Sequence, residues 1–318
     1  MKPSRKVTVN DVALKSGVSM SLAAAVLRNA KSNIGCTEST RERVLKAAKE
    51  LDYSPNKLAR AMKTGIIPQV ALCLHHEKSD EELNLYIHDL LPGVAFALKP
   101  KGFNATFIPY DSIKDFIEQT QTLADSNLIG GIITNFPPEH ENELVGHLKK
   151  LGLPHVLFGK TNDDSTPCVG IDNTIFHQKL AEYALAHGFK RMTGIQARKK
   201  VKDGIFWESL PLQLPPALEK CGIENSCLQD RGTLCVAFGE FTRRMLIQEK
   251  GINEKNIISI EDKRSLISVR PTVLVRSKLP DRAEQAADLL TEWITHGRIP
   301  EPRHRQVKVL PEDIEFIV

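Results

Sequence analysis

The chain lacks any uninterrupted apolar run of about 18 residues, the length a helical membrane span needs, so no membrane-spanning segment is expected. No apolar stretch follows the opening MKPSRK either, and a secretion signal is therefore not expected. The six cysteines, Cys36, Cys73, Cys168, Cys221, Cys227 and Cys235, form neither a Cys-x-x-Cys pair nor zinc-finger spacing. They read as incidental thiols in a reducing cytoplasm rather than as a disulfide or metal framework. Enzyme signatures are missing as well. There is no Gly-x-Gly-x-x-Gly after the first apolar strand, no Walker lysine, no Gly-x-Ser-x-Gly elbow and no His-Glu-x-x-His. His75-His76-Glu77 comes nearest to a metal or general-base cluster, but adjacent side chains on a strand point apart. No cofactor, metal or catalytic residue is expected.

Charge, by contrast, is present and uneven. Residues 1–65 hold 13 lysines and arginines against 5 acids, whereas the remainder holds 30 against 34. A basic head on a mildly acidic body points to a polyanion bound at one end. Within that head, Val9 to Ser16 reads as a short helix capped by Thr8, with Asp11 at its positive end. Gly17 supplies the left-handed turn, and Ser19 caps a second helix to about Arg28 with Leu22, Ala23, Val26 and Leu27 on one face. Small residues at Ala13 and Ala23 allow a close crossing. A third helix after Thr37 is expected to bury Val44, Leu45, Ala48 and Leu51. This is a helix-turn-helix with a supporting helix, of a size that seats its second helix in the major groove of DNA.

From Thr8 to Gly65 the chain resembles the headpiece of the lac repressor/galactose repressor family of bacterial transcription regulators. The resemblance is carried by Asp11-Val12-Ala13, Ser16-Gly17-Val18-Ser19, Val26-Leu27, Thr40-Arg41-Glu42-Arg43-Val44, Tyr53-Ser54-Pro55-Asn56, Ala59-Arg60 and Thr64-Gly65. It implies base-edge contacts at Met20, Ser21 and Ala25, read here as the solvent-facing residues of the second helix. The usual family residue at position 25 is arginine, which grips guanine O6 and N7; Ala25 offers a methyl group instead. It implies backbone contacts at Thr8, Ser19, Arg28, Tyr53 and Asn56. The segment from Ser54 to Met62, including Ala59 and Arg60, matches a hinge that folds in the minor groove when two subunits meet. Met62 stands where the family wedges an apolar residue, usually leucine, into the central base step. The loop from Ala30 to Cys36 is about three residues longer than the family's.

Beyond Gly65 the pattern turns to strand–helix alternation. Buried strands are expected at 70–74, 105–108, 131–134, 155–158, 168–171, 192–195, 234–238 and 257–260, with helices at about 82–99, 115–124, 139–151, 175–187 and 280–296. The fold expected is α/β: an all-α headpiece with hinge helix over 1–65, then a two-lobed, periplasmic-binding-protein-like domain of doubly wound parallel sheets over 66–318. The first lobe takes about 66–161 and a shortened second lobe about 162–318, with strand crossovers. Matches in the body, such as Gly170-Ile171-Asp172-Asn173 and His187-Gly188-Phe189-Lys190-Arg191, are looser than in the headpiece. The family's Arg-x-x-Gly-Phe element is not recognisable, since Val201 stands where its arginine would be. Asn135, Lys160, Asp172, Arg198, Glu240 and Glu261, at strand ends, are the effector-binding candidates. The resemblance implies a cytoplasmic homodimer on a near-palindromic DNA operator, modulated by a small polar effector such as a sugar. One alternative is an effector-independent regulator whose pocket has decayed; others are a solute-binding protein or an α/β enzyme.

Overall fold

The computed structural model describes residues 7–27, 36–55, 61, 63–75, 85–136, 140–200, 204–210, 224–225, 232–261, 270–276 and 278–318. The chain divides into two compact units, 1–67 and 68–318.

In the first unit, α1 (Val9–Ser16), α2 (Met20–Leu27) and α3 (Glu38–Glu50) enclose Val12, Ala13, Ala23, Val26, Val44, Ala47 and Ala48. The alanines let the helices approach closely, so three valines provide most of the buried volume, each contributing about 1.5–3 kcal/mol. Gly17 sits at φ 65°, the left-handed conformation that reverses the chain between α1 and α2. A Lys15–Glu50 ion pair at 2.8 Å ties α1 to α3. Leu45 departs from expectation: it is 45% exposed, because α3 turns 44, 47, 48 and 51 inward at 100° per residue and swings 45 off that face.

The second unit contains two sheets. The first is wholly parallel, ordered β12-β5-β4-β3-β1-β2. Its strands are β1 (Gln69–His75), β2 (Asn104–Tyr110), β3 (Gly131–Thr134), β4 (His155–Phe158), β5 (Cys168–Asp172) and β12 (His304–Lys308). The helices α4 (Leu85–Leu98), α5 (Ile113–Asp125), α6 (Glu141–Leu151) and α9 (Leu279–His296) cover it. Both faces are covered, which is why Val70–Leu74 reads as a continuous apolar run and is fully buried. At Gly131 the helix α9 comes so near that a Cβ would lie 2.9 Å from Ile294 Cδ1.

The second sheet is ordered β13-β11-β10-β9-β6-β7, with β8 (Glu224–Asn225) also beside β6. Its core is parallel: β6 (Arg191–Lys200), β9 (Thr233–Phe238), β10 (Ile257–Glu261) and β11 (Thr272–Val275). The edge strands β7 (Gly204–Leu210) and β13 (Ile314–Ile317) run antiparallel to it. The helices α7 (Thr174–Ala186) and α8 (Glu240–Gln248) pack on it.

Three features correct the expected layout. Strand β5 belongs to the first sheet, pairing Leu157 with Cys168 and Phe158 with Val169. Its connection from β4 is a loop pinned by the buried Glu141, which accepts from Thr161 Oγ1 at 2.6 Å and from Asn162 N and Nδ2 at 2.5 and 2.9 Å. The helix α9 also returns to the first lobe, where it packs on α4. Finally, a β6–β7 hairpin occupies the start of the shortened interval in the second lobe. The chain thus crosses between lobes three times: after β5, after β11 and after β12.

Candidate nucleic-acid interface and effector cleft

Local hydrogen bonds cap both helices, and the turn between them is closed by Gly17 N donating to Leu14 O at 3.3 Å and Val18 N donating to Ala13 O at 3.1 Å. Thr8 forms a capping box: its backbone N–H donates to Asp11 Oδ2 at 2.8 Å, its hydroxyl donates to the same oxygen at 2.7 Å, and Asp11 N donates back to Thr8 Oγ1 at 3.4 Å. Ser19 accepts from Leu22 N at 3.2 Å, opening α2. Its hydroxyl proton remains available to a phosphate oxygen, whereas that of Thr8 is committed to Asp11. Thr37 opens α3 in the same way, accepting from Thr40 N at 3.3 Å.

On α2, Met20 is 57% exposed and Ser21 is exposed beside it. An exposed methionine at a helix start, next to a capped turn, offers an apolar contact surface with little competing function. Ala25 does not share that face. It is 4% exposed: it lies only about 40° round from Ser21, but on the side of α2 that turns into the headpiece, while Ala24 falls between Met20 and Ser21. Tyr53 follows α3, with its N–H donating to Ala48 O at 2.9 Å and its ring packed against the headpiece core. Burial pushes the Tyr53 phenol up. Arg28, Asn56, Ala59, Arg60 and Met62 lie outside the described residues, as does most of the Ala30–Cys36 loop.

In the body, both sheets turn their strand C-termini toward the junction of the lobes, because the three links leave from the ends of β5, β11 and β12. The effector candidates lie on or just beyond such ends. Asn135 follows β3; its Oδ1 accepts from His75 N at 2.7 Å, and its carbonyl accepts from Tyr110 Oη at 2.5 Å. It therefore ties three strand ends together. Asp172 accepts from Thr174 N at 3.0 Å and Thr174 Oγ1 at 2.5 Å, bracing the start of α7. Those bonds, with Lys308 and Lys160 nearby, hold its carboxyl below the usual range. Lys160 is exposed just past β4. In the second lobe Glu261 Oε1 accepts from Glu240 N at 3.0 Å, so the two acids share the first turn of α8. Arg198 lies on β6 opposite Phe206 in the hairpin, and its side chain is outside the described residues. The candidates therefore fall into a first-lobe set and a second-lobe set, and three of the six, Asn135, Asp172 and Glu261, also hold the fold.

Sequence reasoning missed Arg282. It is 7% exposed on the first turn of α9, with its guanidinium carbon 5.4 Å above the centroid of Phe158, the last residue of β4. The signal was legible: the buried stripe of α9 is otherwise Leu279, Ala283, Ala286, Ala287, Leu289, Leu290 and Thr291, and a cation interrupts it. Among the described residues no group of three or more His, Cys, Asp or Glu is placed to hold a metal ion. No described helix is long and apolar enough to cross a membrane.

Residues 8–56 match the family described as Bacterial regulatory proteins, lacI family. The HTH-type transcriptional regulator MalR of Streptococcus pneumoniae is 28% identical over 195 residues, 61% of this chain and 58% of the relative. The ribose operon repressor of Bacillus subtilis is 30% identical over 183 residues, 57% of this chain and 51% of the relative. Each alignment thus takes in less than two-thirds of the relative's own length. Among solved structures, the Lac repressor bound to ONPG has a TM-score of 0.65 over 99% of both chains at 14% identity. The CelR–cellobiose complex has a TM-score of 0.56 over 98% of this chain and 99% of that one at 17% identity. Residues 8–56 therefore match the lacI family of bacterial regulatory proteins, and the α/β unit behind them has the fold of these solved structures.

Proposed function

We propose that the chain is a cytoplasmic, sequence-specific DNA-binding transcription regulator that acts as a homodimer on a near-palindromic operator and answers to a small polar effector held between the lobes of its body. The observation that carries this reading is the doubly capped turn from Thr8 to Leu22. It presents Met20 and Ser21 to solvent at the start of α2, within a basic segment that matches the lacI family. Second helices of this kind enter the major groove by their N-terminal residues. The relatives' names, a ribose operon repressor and a regulator in complex with cellobiose, support a sugar-like effector class. The hinge helix around Met62, with its side chain wedged into the central base step, is part of this reading, as is the division at about residue 65.

Selection of bound duplexes from random DNA tests the proposal. The expected result is a palindromic consensus whose affinity falls steeply with salt as counterions are released. Failure to prefer any duplex over random competitor at moderate ionic strength would overturn it.

A further inference from the structure

We infer that α2 reads its half-site through thymine methyl groups, and that Ala24, beside Met20, is the residue that meets one of them. This rests on the DNA-binding reading above and names the base chemistry that the second helix takes.

Helix α2, Met20–Leu27, has no charged side chain and a single hydroxyl in its eight residues. Ala23 and Val26 are buried in the headpiece core and set its inward side, with Leu22 and Leu27 flanking them. Round the rest of the helix come Met20, Ala24, Ser21 and Ala25 in that order, about 40–60° apart. The two ends of that arc differ. Met20 is 57% exposed and Ala24 half-buried, whereas Ala25 is 4% exposed. The open strip of α2 is therefore Met20, Ala24 and Ser21. A helix face that meets only water carries charged or amide side chains, and a helix apolar on every side is normally buried on every side. Here a thioether, a methyl and one hydroxyl are left uncovered.

The occupant follows from charge and chemistry together. Residues 1–65 are strongly basic, which draws a polyanion to this unit, yet α2 itself offers phosphate no cation. Its strip is left for base edges. Guanine and adenine present donors and acceptors that arginine, asparagine or glutamine grip in pairs, and α2 holds none of these. The thymine C5 methyl is the major-groove group that apolar contact recognises. Ala24 ends at its Cβ, so the helix backbone can come close with that methyl against the base. Met20 lies one turn earlier on the same side, and its flexible thioether reaches a neighbouring step. Ser21 adds a hydrogen bond beside them without choosing strongly between bases.

Replacing thymine by deoxyuridine tests this, because it removes one methyl and leaves base pairing and every hydrogen-bonding edge unchanged. The full chain is titrated, at fixed ionic strength, against the duplex selected from random DNA. It is then titrated against versions in which each thymine in turn, with its symmetry mate, is deoxyuridine. At least one thymine per half-site loses about fourfold in affinity for each methyl removed. In Ala24→Gly the penalty at one such thymine disappears. Should the glycine variant fail to fold, Ala24→Arg, at a half-exposed position, selects guanine near that thymine when the selection is repeated. An unchanged consensus for Ala24→Arg overturns the inference. So does a penalty that Ala25→Gly removes and Ala24→Gly does not. A consensus whose thymines can all be replaced without loss also overturns it and leaves the strip to a protein contact, while the DNA-binding reading stands. If no duplex is preferred at all, that reading falls and the inference falls with it.

Discussion

Replacing Thr8 with alanine separates two roles that one hydroxyl could serve. In the capping box the hydroxyl donates to Asp11 Oδ2 at 2.7 Å and accepts from Asp11 N at 3.4 Å, while the Thr8 backbone N–H keeps its own bond to Asp11 at 2.8 Å. Truncation therefore removes half of a reciprocal cap, and the longer of the two backbone bonds. The cost is about 1 kcal/mol, the middle of the range for a lost N-cap. In a headpiece whose core is three valines and four alanines, that is a substantial fraction of the total. Hydrogen exchange on the full chain reads it directly. Amides of α1 should exchange about fivefold faster in Thr8→Ala, with those of α9 as an unchanged internal reference. Thr8→Ser keeps both bonds and should behave as the wild type. Because the hydroxyl proton is already committed to Asp11, DNA affinity should fall only as far as α1 frays. A large loss of affinity with α1 protection intact would show that the hydroxyl serves a phosphate, and would refute the reasoning.

Met62→Ala should weaken binding to the selected operator and reduce the bend seen in gel-shift assays; no change in either removes the wedge. Arg243 is 1% exposed, donates to Ile257 O and Arg270 O at 3.0 Å, and pairs with Glu254 at 2.9 Å. Arg243→Leu strands those carbonyl acceptors and should cost about 1–3 kcal/mol in urea unfolding, without altering the headpiece's preference for DNA sequence. His155 is buried against Trp293, with Nδ1 donating to Leu153 O at 2.8 Å and Nε2 making no hydrogen bond. Burial, with Lys149 nearby and Asp163 opposing, lowers its pKa from 6.5, so the unfolded chain takes up the proton first. Its contribution is complete above pH 6.5 and is lost as pH falls from there toward the lower folded value. Thermal melts between pH 7 and 5 should therefore be flatter for His155→Leu than for the wild type.

Local chemistry was legible in the sequence, and long-range partnership was not. Thr8, Gly17 and Ser19 act where short-range hydrogen bonding and backbone sterics put them. The strands 131–134 and 155–158 were bounded correctly because buried parallel strands write themselves as apolar runs. β12 and β13 escaped: as edge strands they keep one side in solvent, and His304–Lys308 has a single buried residue. That α9 and β5 return to the first lobe is a pairing choice that no local pattern encodes. Ala25, read as solvent-facing, is 4% exposed, because an alanine gives no sign of which face it occupies. Of the effector candidates, Asn135, Asp172 and Glu261 proved also to brace neighbouring strands and helices, so chain position alone overstated how free they are for a ligand.

The last fifteen residues, 304–318, lend a border strand to each half of the body: β12 lies outside β5, and β13 outside β11. A premature stop just before His304 would strip both margins at once. It would bare the backbone of β5 and of the wholly buried Thr272–Val275 segment, and rows of unpaired amides beside apolar side chains invite association with other chains. Such a loss should therefore surface as insoluble protein long before any question of DNA or effector arises.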